Sequence, residues 1–260
     1  MRILVTNDDG IASPGLEALA SAARSAGHDV VVAAPATEYS GMSASLAAVT
    51  TEGRVVIEKT SIGYAVAAAP AFIAVIAVLG AFGPPPDLVL SGINPGANAG
   101  RAVLHSGTVG AALTAAARGC HAMAVSLDYL AAQGETLHWE TAAVIARDLL
   151  DRAAAAPAGT ALNLNVPNLP SVTSLREARL AAFGQVQIQI LESGEGFVRT
   201  DFLRTRESPV PGTDLALLAE GHATLTVLRP PSEVVDQAIP HQRRPAAPRE
   251  SRPHEGDSAD

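Results

Sequence analysis

The chain has 260 residues and a mass of 26.5 kDa, with 48% apolar and 17% charged residues, enough to bury a real core and to exclude a wholly disordered or fibrous chain. A formal charge of −8 and only one Trp, three Tyr and five Phe provide neither a basic field nor stacking surfaces for a nucleic-acid polymer. Cys120 is alone, so no intrachain disulfide forms, and the N-terminus reads as a strand rather than a charged signal peptide. Both point to the cytoplasm.

Arg2 to Thr6 is a short aliphatic and β-branched run that ends in the turn formers Asn7-Asp8-Asp9-Gly10. Ser13 as N-cap and Pro14 at the first helical position open a helix in which Leu16, Leu19, Ala20 and Ala23 recur until Gly27. A second strand over residues 28–34 completes a right-handed parallel β-α-β unit. Residues 65–82 carry no charge, yet Pro70 interrupts them and Gly83-Pro84-Pro85-Pro86 ends them. That stretch reads as a strand to about Ala68 and a buried helix from Pro70 rather than a membrane span.

The alternation continues with a strand at 87–90, a helix over 108–118, a strand at 122–126, one long helix over 139–155 and a strand at 161–166. These apolar runs are those of a parallel sheet. After Pro170 the pattern alternates apolar and polar, at 186–190 and 223–228, as half-exposed antiparallel strands do. The expected organisation is a core over 1–170, an extension that helps copies associate over 171–236, and a disordered tail over 237–260, where Ile239 is the only large aliphatic side chain.

Asp8 and Asp9 lie just past the first strand, where open α/β sheets place their ligands, and Gly10 permits the bend that lets both aim at one point. The same residues also make an ordinary turn. Two further polar loops, Tyr39 to Ser43 and Ser91 to Gly100, follow strands of the same sheet and belong to the same edge. Carboxylate, amide and hydroxyl oxygens without a His or Cys cluster suit Mg²⁺ or Mn²⁺ rather than zinc. Ser106-Gly107-Thr108 opens a helix, where free amides suit a phosphate or simply a cap. His105 and Arg101 flank that segment, as a proton donor and a phosphate contact or as surface residues. No Gly-x-Gly-x-x-Gly or P-loop appears.

These segments resemble, in order, the SurE survival-protein nucleotidases: Asn7-Asp8-Asp9-Gly10 with Pro14-Gly15, then Ser40-Gly41-x-Ser43, Ser91 to Gly100, and Ser106 to Ala112, with echoes at Leu164 to Pro167, Gly212-Thr213-Asp214 and Glu220-Gly221. The resemblance implies a Rossmann-like three-layer parallel-sheet α/β core with an antiparallel C-terminal extension. It also implies a metal-dependent phosphatase on nucleoside 5′- and 3′-monophosphates, assembled as a homodimer or homotetramer. By position the metal ligands fall on Asp8, Asp9, Ser40 and Asn94, with both aspartates catalytic; Asn98, Ser106, Gly107 and Thr108 fall on the substrate side. One departure is clear: the family's Gly-Thr-Pro-x-Asp-Cys is here Ala68-Ala69-Pro70-Ala71-Phe72-Ile73. Two alternatives stay open, a non-catalytic metal- and nucleotide-binding protein and a phosphatase for another substrate such as short polyphosphate.

Overall fold

Side chains of the first strand, β1 (Arg2–Thr6), alternate between two buried faces, Ile3 and Val5 on one and Leu4 on the other. Such double burial marks a strand in the interior of a parallel sheet. Helix α1 (Pro14–Ser25) covers the Ile3 face through Leu16, Leu19, Ala20 and Ala23, and β2 (Asp29–Pro35) returns parallel to β1. A small ribbon of β3 (Thr50–Thr51) and β4 (Arg54–Val55) precedes β5 (Ile57–Lys59), which pairs antiparallel with β6 (Tyr64–Val66). Helix α2 (Pro70–Val78) follows, so the uncharged stretch splits into strand and helix. Among the described residues no helix is long and apolar enough to cross a membrane.

The chain then crosses to the other side of β1 with β7 (Leu88–Pro95), α3 (Gly107–Ala117), β8 (His121–Asp128), α4 (Trp139–Asp148), α5 (Leu150–Ala154) and β9 (Ala161–Pro167). Helices α1, α4 and α5 pack on one face of the sheet, α2 and α3 on the other, giving three layers. Strands β6, β2, β1, β7, β8 and β9 lie in that order and run parallel. The direction of construction reverses between β1 and β7, and in such sheets ligands settle beyond the carboxyl ends at that point.

The computed structural model describes residues 1–129, 136–184, 186–204 and 210–233. The strand expected at 87–90 runs on to Pro95, through a register shift between Ser91 and Asn94 that places the start of the expected loop inside the sheet. The single helix expected over 139–155 is broken at Leu149 into α4 and α5. Beyond Pro170, β10 (Leu175–Glu177), the hairpin of β11 (Val186–Gly194) and β12 (Phe197–Arg204), α6 (Asp214–Ala219) and β13 (Ala223–Leu228) follow. Strand β13 pairs antiparallel with β9 and parallel with β10, so the extension returns to the core sheet, while the hairpin is a sheet of its own. Residues Met1–Pro230 form one compact unit; the expected tail at 237–260 lies outside the described residues.

Candidate functional site

The chain bends as soon as β1 ends. The Asn7 side chain donates to the Gly10 carbonyl (3.0 Å) and accepts from the Gly10 amide (3.2 Å), closing a turn that presents Asp8 and Asp9 at the reversal point. Asp8 is only 5% exposed, and its Oδ1 accepts a 2.5 Å hydrogen bond from the Thr108 hydroxyl. Gly107 lies flat against the same carboxyl group: a Cβ there falls 2.6 Å from Asp8 Oδ2 and 2.9 Å from its Cβ. Only glycine lets the first turn of α3 come this close. The positive end of α3 therefore abuts Asp8.

Burial raises the Asp8 pKa, the Thr108 hydroxyl and backbone amides oppose this by hydrogen bonding, and the nearby Glu38 carboxylate adds to the rise. Asp9 is pushed up to about 7, first by burial, then by repulsion from Asp8 and from Glu38. Its Oδ2 is buried with no hydrogen-bond partner. Two crowded carboxyl groups, one with an orphaned oxygen, form a site whose electrostatic cost a divalent cation relieves, so the donor set fits one. Among the described residues no group of three or more His, Cys, Asp or Glu is placed to hold a metal. A donor set of carboxylate, amide and hydroxyl oxygens alone suits a hard cation that keeps several waters.

The loop after β2 is laced to the aspartate turn by bonds from the Ile11 amide to the Pro35 carbonyl and from the Tyr39 amide to the Asp8 carbonyl, each 2.8 Å. Ser40 is exposed and donates to Glu38 Oε1 at 2.5 Å, which leaves its oxygen lone pairs as acceptors. Ser43 ties this loop to the next by donating to the Leu104 carbonyl (2.7 Å). At the end of β7 the Asn94 amide nitrogen donates to the Gly96 carbonyl (2.7 Å), committing the nitrogen and leaving the amide oxygen for a cation.

Asn98 is clamped from beneath by the sheet. Its backbone N–H donates to Asn165 Oδ1 (2.8 Å), its carbonyl accepts from the Asn163 and Asn165 amides (2.8 and 3.1 Å), and its Nδ2 donates to Ser126 Oγ (2.8 Å). A second Nδ2 hydrogen remains to be donated. Ser106 caps α3, accepting from the Val109 amide (3.0 Å) with its own hydroxyl hydrogen still available. Thr108 is fully buried, and its hydroxyl donates to Asp8 and orients that carboxyl group. Arg101 and His105 lie exposed on a 3-10 turn (Gly100–His105).

The sequence reading assigns no site role to Glu38, Ser126, Asn163 or Asn165. A signal existed for the last two, because a buried parallel strand reading Ala-Leu-Asn-Leu-Asn-Val places two amides on one face, where each needs a partner. The altered segment at Ala68 to Ile73 forms the start of α2. Ala69 is its N-cap residue, with no side-chain cap, and its amide bonds the Ala47 carbonyl (2.8 Å). Ala69 and Phe72, where the resemblance expects Thr and Asp, stand at the N-cap and N3 positions, those of a capping box.

Known proteins resemble the chain in sequence and in fold. The family model described as Survival protein SurE matches residues 3–189. A protein of Xanthomonas campestris pv. campestris named 5′-nucleotidase SurE is 44% identical over 172 residues, 65% of this chain and 64% of the relative, so the match spans under two thirds of that relative's length. Relatives of the same name from Stenotrophomonas maltophilia and Nitratidesulfovibrio vulgaris are 37% and 35% identical, over 88% of this chain and 90% and 93% of theirs. The crystal structure of the SurE protein from Aquifex aeolicus superposes with a TM-score of 0.73 at 28% identity, covering 88% of this chain and 93% of that one.

Proposed function

The chain belongs to the SurE family, and from that premise we propose that it is a metal-dependent phosphatase that hydrolyses nucleoside 5′- and 3′-monophosphates to nucleoside and phosphate. The observation that carries this reading is the pair of crowded carboxyl groups at the sheet's reversal point, with the amino end of α3 packed against one of them and an orphaned oxygen on the other. Carboxylates for a cation and helix amides for a phosphate are the two halves of such a site.

Asp8, Asp9, Ser40 and Asn94 hold the ion, and Mg²⁺ or Mn²⁺ bound there supplies Lewis-acid polarisation of the phosphoryl group and a more acidic bound water. Thr108 keeps the Asp8 carboxyl group in one orientation. The free Nδ2 hydrogen of Asn98, the Ser106 hydroxyl and the Gly107 amide donate to the phosphate oxygens and stabilise the charge that gathers there during attack by water. These donors are held before substrate arrives, Asn98 by four bonds to the sheet and Ser106 by its cap, so little reorganisation accompanies the reaction.

The hairpin of β11 and β12 is read as the arm through which copies associate into a homodimer or homotetramer, since an isolated two-stranded ribbon is marginal in water and this one exposes Ile188, Ile190, Phe197 and Val198. The cytoplasm is the compartment this reading assumes.

Phosphate release from a panel of 5′- and 3′-monophosphates and short polyphosphate, with and without Mn²⁺ or Mg²⁺, tests the proposal beside Asp8→Asn. Metal-dependent release that falls roughly a hundredfold or more in the variant is expected. Metal binding with no release from any substrate instead identifies a binding protein, and release confined to polyphosphate changes the substrate class.

A further inference from the structure

The Gly212-Thr213-Asp214 triplet lies in the sequence far from the loops of the site, yet Asp214 is wholly buried and reaches one of them. Its Oδ2 accepts from the Gly100 amide (2.7 Å), and its Oδ1 accepts from the Ala181 amide (2.9 Å) and the Leu215 amide (2.9 Å). Its own amide donates to the Arg179 carbonyl (2.8 Å). One carboxyl group thus brackets the loop after β7, the segment leading into the hairpin and the start of α6. Gly100 has φ +60°, and a Cβ there falls 2.0 Å from the Phe183 carbonyl oxygen, so the two segments touch backbone to backbone. The Arg101 amide adds a bond to the Ala181 carbonyl (3.2 Å).

We infer that Asp214 is a positioning residue for this site: by anchoring Gly100 it holds the substrate loop that carries Asn98 and leads through the 3-10 turn to Ser106. The inference rests on the phosphatase reading. Asn98 is fixed by Asn163, Asn165 and Ser126, and two residues later the chain is fixed again by Asp214. Loss of either anchor frees the loop to swing about the other. Asp214 touches no reacting group and acts only through the backbone it grips.

Asp214→Asn isolates the key bond. The amide oxygen can replace Oδ1 and keep the Ala181 and Leu215 bonds, but the amide nitrogen then meets the Gly100 N–H, donor against donor. In the full chain with Mn²⁺, kcat/KM for a nucleoside monophosphate is expected to fall about tenfold to a hundredfold, mostly as a higher KM. Mn²⁺ affinity, read by paramagnetic resonance titration, should stay at the wild-type value, and amide exchange should quicken at residues 98–106. Asp214→Ser, which keeps an acceptor at the start of α6 but does not reach Gly100, should reproduce the split. Wild-type kinetics in a folded variant, Mn²⁺ affinity lost in step with rate, or failure of both variants to fold each overturn the inference. A wild-type protein that releases phosphate from nothing overturns the phosphatase reading, and the bracket's role with it.

Discussion

The carboxyl edge of the sheet and the β11–β12 hairpin are built on opposite terms. At the edge, polar groups are buried and held: Asp8 between Thr108 and Gly107, Asn98 among three partners, Asp214 on three amides. In the hairpin, apolar groups are exposed: Ile188 is 69% and Ile190 62% accessible, with Phe197 and Val198 beside them. Polar burial is costly unless it serves a ligand or a network, and apolar exposure on this scale is costly unless something covers it. On the proposed reading the first region serves a cation and a phosphate, and the second serves an interface between copies.

The most severe way to break the edge is Gly107→Ala. The added methyl group must push α3 away from Asp8, since it meets that residue's Cβ at 2.9 Å as well as its oxygen. Phosphate release should drop about a hundredfold, as misplacement of catalytic groups by an ångström does. Unchanged turnover in the folded variant means that the helix end and Asp8 do not act together.

A pH series sharpens the same comparison. The Asp9 pKa lies near 7 in the folded, metal-free chain against an ordinary value of 3.8. The protonated group therefore favours the folded state fully below about pH 4, and this contribution is lost as pH rises through 7. A bound cation replaces the proton. The rise in Tm on adding Mn²⁺ should thus be larger at pH 8 than at pH 5, and an equal rise at both places the ion away from Asp9.

On the hairpin, changing Ile188 and Ile190 together to Asp should lower the solution mass toward one chain, measured by light scattering, while the Mn²⁺-dependent rise in Tm persists. An unchanged mass shows that association, if present, uses another face. The smallest effect is expected at α2, where Ala69→Ser restores an N-cap hydroxyl at a residue whose backbone is already extended. The gain is about 1 kcal/mol, read as a shift in urea midpoint at constant slope.

Much of this was legible in the sequence because it is local. The Asn7 to Gly10 turn, Pro14 at a helix start, the Ser106 cap and the apolar strands each declare themselves within a few residues. The bond from the Thr108 hydroxyl to Asp8 was not legible, because a position at a helix start says nothing of a carboxyl group 100 residues earlier in the chain. The Asp214 bracket spans 114 residues and depends on the packing of three segments. Strand β12 was missed because Arg199 and Asp201 break its apolar pattern, which a ribbon paired only with β11 tolerates. Strand β7 was cut short at Leu90 because Ser, Gly and Asn read as a loop, whereas the register shift in the sheet absorbs them.

On the proposed reading the crowded carboxyl groups of Asp8 and Asp9 hold a cation. That reading is tested most directly by an anomalous-difference map from crystals grown with Mn²⁺. A peak in contact with both carboxyl groups and within reach of the Asn94 amide oxygen is expected. A peak elsewhere, with Asp9 Oδ2 still unpartnered, contradicts it.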